Sequence, residues 1–220
     1  MRTVVFDLDG TLVDTSGDLI AAGNACFRDM GLGDLLDPAR DQKTAVRGAR
    51  AMLRLGLERA GQLDDAVVDA QFQPLLDHYA RAISTHTTLY PGAMAAVDAL
   101  TADGYRVAIC TNKPLGLTQQ LLTALGIDGR FHAVLGADST PTPKPHAGHL
   151  IATVQAAGGD MARCLLVGDT ETDAKTAAAA GVPAVLVTFG PAGADMAALR
   201  PAALLDHFDD LPAVVRNLIG

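Results

Sequence analysis

The sequence lacks a run of the ~18 apolar residues that a membrane-spanning helix needs. It also lacks the basic-then-apolar opening of a secretory signal, since Val4, Val5 and Phe6 lead straight into acidic residues. A soluble, cytoplasmic protein with no membrane partner is therefore expected. Positive charge is scarce: 17 Lys and Arg stand against 25 Asp and Glu, for a formal net charge of -8. No basic cluster reverses that balance locally, which argues against nucleic acid as a partner. Cysteine is scarce too. Cys26, Cys110 and Cys164 are the three present; they form no CxxC pair, and an odd number cannot all pair within one chain. Reduced, structural thiols are expected. There is no internal repeat, and the alanine-rich stretch 177–180 needs nothing more than a tightly packed helix to explain it.

What is present is a chain of 220 residues, 49% of them hydrophobic and 19% charged. That is long enough for a real core, as one large domain or a domain with a sizeable insertion. Thr3 to Phe6 reads as a buried strand emptying into the turn Asp7-Leu8-Asp9-Gly10-Thr11. From about Asp18 to Arg81 the apolar residues recur at helical spacing, through Leu19, Ile20, Met52, Leu53, Leu57, Leu75 and Tyr79. No good strand interrupts them. After Tyr90-Pro91-Gly92 helix and strand alternate. Strands are predicted over 106–110, 131–135, 164–167 and 185–189, and helices over 94–102, 115–125, 146–157 and 174–180, most of them closed by glycine. The tail adds one more strand at Ala203-Leu204-Leu205 and a closing helix over 211–218. The predicted class is α/β, a doubly wound, Rossmann-like parallel sheet. Residues 1–15 and 84–220 are expected to form its core, with 16–83 as an inserted helical unit.

Ligands of a parallel α/β sheet bind where the strands end at their carboxyl edge. Asp7 and Asp9 follow the first strand, Thr111 and Asn112 follow Cys110, and Asp169 and Asp173 follow Val167. Lys144 lies in the proline-rich loop before the helix at His146. Singly, each has a plain explanation, because Asp and Thr are common after strands and cap the next helix. Together, several carboxylates in one cleft would repel and raise one another's pKa unless a divalent cation and a positive side chain neutralised them. Oxygen ligands without a His or Cys set favour Mg2+ over zinc.

Asp7-Leu8-Asp9-Gly10-Thr11, Thr111, Lys144-Pro145 and Gly168-Asp169 with Asp173 resemble the four-motif signature of the haloacid dehalogenase (HAD) superfamily, in the family's order and at its usual spacing. The likeness runs from Val4 to the closing helix. It implies a parallel α/β core with a helical cap domain inserted after the first motif, and a metal-binding hydrolase that transfers a phosphoryl group in two steps. In that scheme Asp7 is the nucleophile and Asp9 the general acid and then base. Thr111 and Asn112 bind a phosphoryl oxygen, and Lys144 balances charge on the same group. The metal set is Asp7, the backbone carbonyl of Asp9 and Asp169, with Asp173 orienting ligands or Lys144. The acid at Asp9 separates this chain from the dehalogenases themselves and leaves phosphatase or phosphomutase.

Within that set Thr111-Asn112-Lys113-Pro114, Tyr90-Pro91-Gly92 and the ending Leu204 to Leu211 look most like the branch acting on phosphoglycolate. A small-molecule phosphate ester, 2-phosphoglycolate first, is the expected substrate, and the protein a monomer or homodimer. A sugar-phosphate phosphatase or mutase shares the same core residues, and a non-catalytic phosphate-binding module is the alternative of another class. Where the branch often has a glycine-rich loop, this chain has Val46-Arg47-Gly48-Ala49-Arg50. Lys43, Arg47 and Arg50 sit among otherwise apolar cap residues and are the candidate readers of the leaving group, Arg47 and Arg50 first because they flank Gly48, against the plain reading of an exposed helix face. His146 and His149 lie three apart, but nothing completes a metal site around them, and a solvated helix face is expected.

Overall fold

A computed structural model describes all 220 residues apart from the side chain of Ala194. In chain order the elements begin with β1 (Thr3–Phe6) and β2 (Val13–Asp14), followed by α1 (Ser16–Asp29), α2 (Gln42–Ala45), α3 (Ala49–Arg59) and α4 (Asp65–Arg81). Next come β3 (Thr88–Leu89), α5 (Ala93–Ala102), β4 (Arg106–Cys110), α6 (Leu115–Ala124), β5 (Ala133–Leu135) and α7 (Ala147–Ala156). The chain closes with β6 (Cys164–Gly168), α8 (Glu171–Ala180), β7 (Ala184–Val187), β8 (Ala203–Leu205) and α9 (Leu211–Ile219). It divides into two compact units, Met1–Val13 with Leu89–Gly220, and Asp14–Thr88.

The first unit is built on a six-stranded sheet in the order β5-β4-β1-β6-β7-β8, with every recorded pairing parallel. Val4, Val5 and Phe6 of β1 and Leu165, Leu166 and Val167 of β6 are fully buried. Helices cover both faces of such a sheet, so its central strands read as unbroken apolar runs. The winding proceeds from β1 outward to β4 and β5, then returns to the other side of β1 with β6, β7 and β8. The reversal therefore falls between β4 and β6, beside β1. Register aligns the ends of these three strands, with Phe6 opposite both Ile109 and Val167. Whatever follows Phe6, Cys110 and Gly168 is thus delivered to one crevice.

Two of the local readings that differ from expectation have a visible cause. α8 starts at Glu171 because Thr170 caps it: the Thr170 hydroxyl accepts from the Asp173 N–H while the Asp173 carboxylate accepts from the Thr170 N–H. That reciprocal box begins the helix one turn before the alanine run from which a start at Ala174 is expected. β7 ends at Val187, and Phe189 leaves the sheet to pack its ring against Tyr90 and Phe208, at centroid distances of 4.9 and 5.2 Å. Aromatic packing outside the ladder is indistinguishable in sequence from one more strand residue.

The second unit is helical: α1 packs on α4, and α3 packs on both. Phe27, Met52, Leu53, Leu57, Val68, Leu75 and Tyr79 form its buried interior. Gly56 sits mid-helix in α3 because a Cβ there would lie 2.2 Å from the Phe27 ring. Asn24 ties the 34–36 segment to α1, accepting from Leu35 and Leu36 N–H and donating to the Leu36 carbonyl.

Candidate active site

The turn after β1 is wound around one carbonyl. Thr11, Leu12 and Val13 N–H all donate to the Leu8 oxygen, and Leu8 itself is fully buried. Anchoring Leu8 in the core leaves its neighbours Asp7 and Asp9, two apart, to share the other side of the chain. Asp7 Oδ1 accepts from its own neighbour's N–H (Leu8, 2.7 Å) and from Lys144 Nζ at 2.9 Å. Among the described residues no protein donor is recorded for its second oxygen. Asp9 turns to a different cation, Lys113, with Nζ 2.8 Å from Oδ1.

Lys144 is buried between two carboxylates, Asp7 and Asp173, the latter at 2.7 Å. Its backbone is fixed by Asn112, whose side chain donates to the Lys144 carbonyl and accepts from the Lys144 N–H, each at 3.0 Å. The Asn112 side chain is thus a brace for the lysine loop. Thr111, at the end of β4, accepts from the Lys113 N–H at 3.1 Å. A hydroxyl used only as an acceptor keeps its proton for an incoming oxygen. Asp173 places one oxygen on Lys144 and the other on the Thr170 N–H and hydroxyl. Asp169 is fully buried; its Oδ1 accepts from the Thr11 hydroxyl at 2.9 Å, and its Oδ2 has no protein partner among the described residues.

Burial pushes the Asp7 carboxyl up to about 7, against the pull of Lys144, with Asp173 adding to the rise. Burial likewise drives Asp169 well above the carboxylate range, helped by Asp173 and Asp7. Lys144 moves the other way from an isolated buried amine: desolvation would lower it, but Asp173 and Asp7 outweigh that and hold it charged.

Asp7, Asp169 and Asp173 bring one oxygen each within 4.8 Å of the others, so this trio could hold a metal. The residues fit a divalent ion on two further counts. The orphaned Asp169 Oδ2 lies under Gly10, where a Cβ would come within 2.1 Å of it, so the loop closes tightly over that oxygen. Asp7 and Asp173 also share the Lys144 ammonium, with Asp169 beside them, so among the described residues these three carboxylates outnumber that cation. A hard oxygen set of this kind suits Mg2+.

A pH effect on stability follows from these shifts. A carboxyl whose folded pKa lies above its unfolded value contributes stability that is fully present below about pH 4 and is lost as pH rises through the folded value. For Asp7 that window runs from 3.8 to about 7. His149 opposes it, because burial and the nearby Lys144 hold its imidazole below the usual range, so the stability it contributes is lost as pH falls. Comparison with Asp7→Asn, which keeps His149, cancels the imidazole and leaves Asp7 together with its effect on Asp169, which acts in the same direction. In chelator, the melting temperature of the unaltered protein relative to Asp7→Asn should decline between about pH 4.5 and 7.5. Adding Mg2+ at the upper end should restore it. A flat difference would contradict the burial account.

Sequence reasoning gave no role to two of these residues and misplaced a third. Lys113 reads as a solvated lysine after a strand, yet its side chain is only 5% exposed. Thr11 lies in the quoted motif but its bond to Asp169 spans 158 residues. His149 is fully buried in α7, which corrects the expected solvated face; only His146 is exposed there, and it caps the helix by accepting from the Gly148 N–H. In the helical unit, Arg50 is paired with Asp69 and lies over the Phe72 ring, 4.7 Å from its centroid. Arg47 is exposed and has no ion-pair partner among the described residues.

The fold and this cluster define an α/β enzyme that gathers carboxylates and lysines at the switch point of a parallel sheet. The chain belongs to the haloacid dehalogenase-like hydrolases, whose family model matches residues 1–181. It is 38% identical over 219 residues to a phosphoglycolate phosphatase of Caulobacter vibrioides, covering 99% of this chain and 92% of that one. It is likewise 38% identical to a phosphoglycolate phosphatase of Cereibacter sphaeroides, over the whole of both chains. Among solved structures it resembles a predicted phosphoglycolate phosphatase from Haemophilus somnus, with a TM-score of 0.86 and 29% identity over 97% of each chain. Among the described residues no helix is long and apolar enough to cross a membrane.

Proposed function

We propose that this protein is a magnesium-dependent phosphatase that hydrolyses a small phosphate monoester through an aspartyl-phosphate on Asp7, with 2-phosphoglycolate as the first candidate substrate. The observation that carries this reading is Asp7 itself: a carboxylate at the switch point, with Lys144 on one oxygen and no protein donor on the other. Full-length relatives named for phosphoglycolate support the substrate.

In the first step an Asp7 oxygen forms a bond to phosphorus as the bond to the leaving oxygen breaks, and Asp9 gives that oxygen a proton. In the second, water attacks phosphorus, Asp9 takes a proton from it, and the Asp7–phosphorus linkage opens. Lys144 and the Thr111 hydroxyl face the charge that gathers on the phosphoryl oxygens. Asn112 acts through the backbone of Lys144, and Asp173 holds the ammonium from the other side. Asp7, the backbone carbonyl of Asp9 and Asp169 would hold magnesium, which when bound supplies positive charge to the phosphoryl group and to the carboxylates around it.

Phosphate release from a panel of esters tests the reading. 2-Phosphoglycolate should be turned over faster than simple sugar phosphates, in Mg2+ but not in chelator, and poorly in Ca2+, whose larger and looser shell suits in-line transfer less well. No release from any ester, or full activity in chelator, would overturn it.

Of the two candidate arginines, Arg47 is the stronger candidate to take a leaving-group carboxylate, because the Arg50 guanidinium is already paired with Asp69 and lies over the Phe72 ring. Arg47→Ala should lower kcat/KM for 2-phosphoglycolate roughly tenfold or more, the scale of a lost charge-assisted hydrogen bond, and spare p-nitrophenyl phosphate. Equal losses on both esters would assign it a structural role.

A further inference from the structure

We infer that Lys113 is a positioning residue for the proton-transfer group: it holds the Asp9 carboxylate aimed at the leaving oxygen, and part of the general-acid catalysis is lost without it. The inference rests on the phosphatase reading above. Asp7 is paired with Lys144, and Asp9 with Lys113.

Asp9 lies beside the Asp7 carboxylate, whose charge repels its own, and the Lys113 ammonium offsets that repulsion. The ammonium 2.8 Å from Oδ1 fixes the plane of the group and therefore the direction of its other oxygen. Lys113 is itself well anchored: its N–H donates to the Thr111 hydroxyl at 3.1 Å, and its carbonyl accepts from the Ala137 N–H at 3.0 Å. One short loop thus carries both the hydroxyl facing the phosphoryl group and the cation that orients the acid. Proton donation matters in proportion to how poor the leaving group is, so a defect in aiming Asp9 has a signature that a general loss of folding does not.

The experiment is a series of aryl phosphates spanning leaving-group pKa from about 7 to about 10, with kcat/KM measured for the unaltered enzyme and Lys113→Met in saturating Mg2+. Acid catalysis contributes on the order of 10²- to 10⁴-fold, and a misaimed acid forfeits part of that. Lys113→Met should therefore lose at least about tenfold on phenyl phosphate and about threefold or less on p-nitrophenyl phosphate, which needs little help, so that the dependence on leaving-group pKa steepens. In an Asp9→Asn background, itself with a steep dependence, Lys113→Met should add no further steepening, since the two act through one group. If Lys113→Met does not fold, Lys113→Gln carries the same comparison.

A uniform loss across the series would overturn the inference in favour of charge neutralisation alone. An unchanged aryl series with a raised KM for 2-phosphoglycolate only would also overturn it, making Lys113 a reader of the substrate carboxylate. Absence of turnover in the unaltered enzyme would instead overturn the phosphatase reading.

Discussion

Asp7→Asn is expected to fold, to melt at or above the temperature of the unaltered protein near pH 7.5 in chelator, and to lose turnover by on the order of 10⁴-fold or more, the scale seen when a covalent nucleophile is removed. The amide cannot attack phosphorus, and it withdraws a charge from the metal set. Its carbonyl oxygen can still accept from the Leu8 N–H and from Lys144, the two donors on Asp7 Oδ1. The folded state also gains relief. Burial holds the Asp7 carboxyl at about 7, so near neutrality the ionised group is carried against its environment. A loss of turnover without loss of stability separates a reacting group from a structural one. Activity within tenfold of the unaltered enzyme would remove Asp7 from the nucleophile's role, and a collapse of the fold would show that the desolvation argument has the wrong sign.

Lys144→Met should lower both activity and stability. The ammonium is 1% exposed and is bonded to Asp7 and Asp173 at 2.9 and 2.7 Å. Removing it leaves two buried carboxylates without their counter-charge, beside a third at Asp169. Breaking a buried pair from one side costs about 3–5 kcal/mol, and loss of a preorganised charge opposite the transferring group costs on the order of 10²- to 10³-fold in kcat. The stability defect should shrink at about pH 5, where protonation of Asp7 relieves the repulsion, and in high Mg2+. The kinetic defect should not shrink with the stability defect, because a proton or a bound ion does not restore an ammonium at that point. Thermal unfolding at two pH values together with kcat checks this, and recovery of kcat in parallel with stability would contradict a catalytic role.

Much of this site was legible because its residues follow strands. A short apolar run ending in acidic and small residues marks both a strand and its carboxyl edge, so Asp7, Thr111 and Asp169 could be named before their meeting point was known. The resemblance supplied their roles. What stayed hidden depends on side chains that meet across the chain. Lys113 looks solvated until β4 and the β1 turn are brought together, and the Thr11 to Asp169 bond has no local signature. His149 shows the same limit from the opposite side. Three residues from His146 on one short helix, it is buried while His146 faces solvent, because α7 packs on β4, β5 and α8. Of Arg47 and Arg50 the sequence offers two equal arginines; only the contacts with Asp69 and Phe72 distinguish them.

The most direct measurement of the central claim is to identify the atom that carries the phosphoryl group during turnover. Enzyme mixed with radiolabelled ester in Mg2+ and quenched in acid within milliseconds should retain label on the peptide containing Asp7, in a form discharged by hydroxylamine as an acyl phosphate is. The label should be absent from Asp7→Asn and, with p-nitrophenyl phosphate as the ester, whose leaving group needs little acid, should accumulate in Asp9→Asn, where the water lacks its base. Turnover without any trapped label, or label on a residue other than Asp7, would contradict the account.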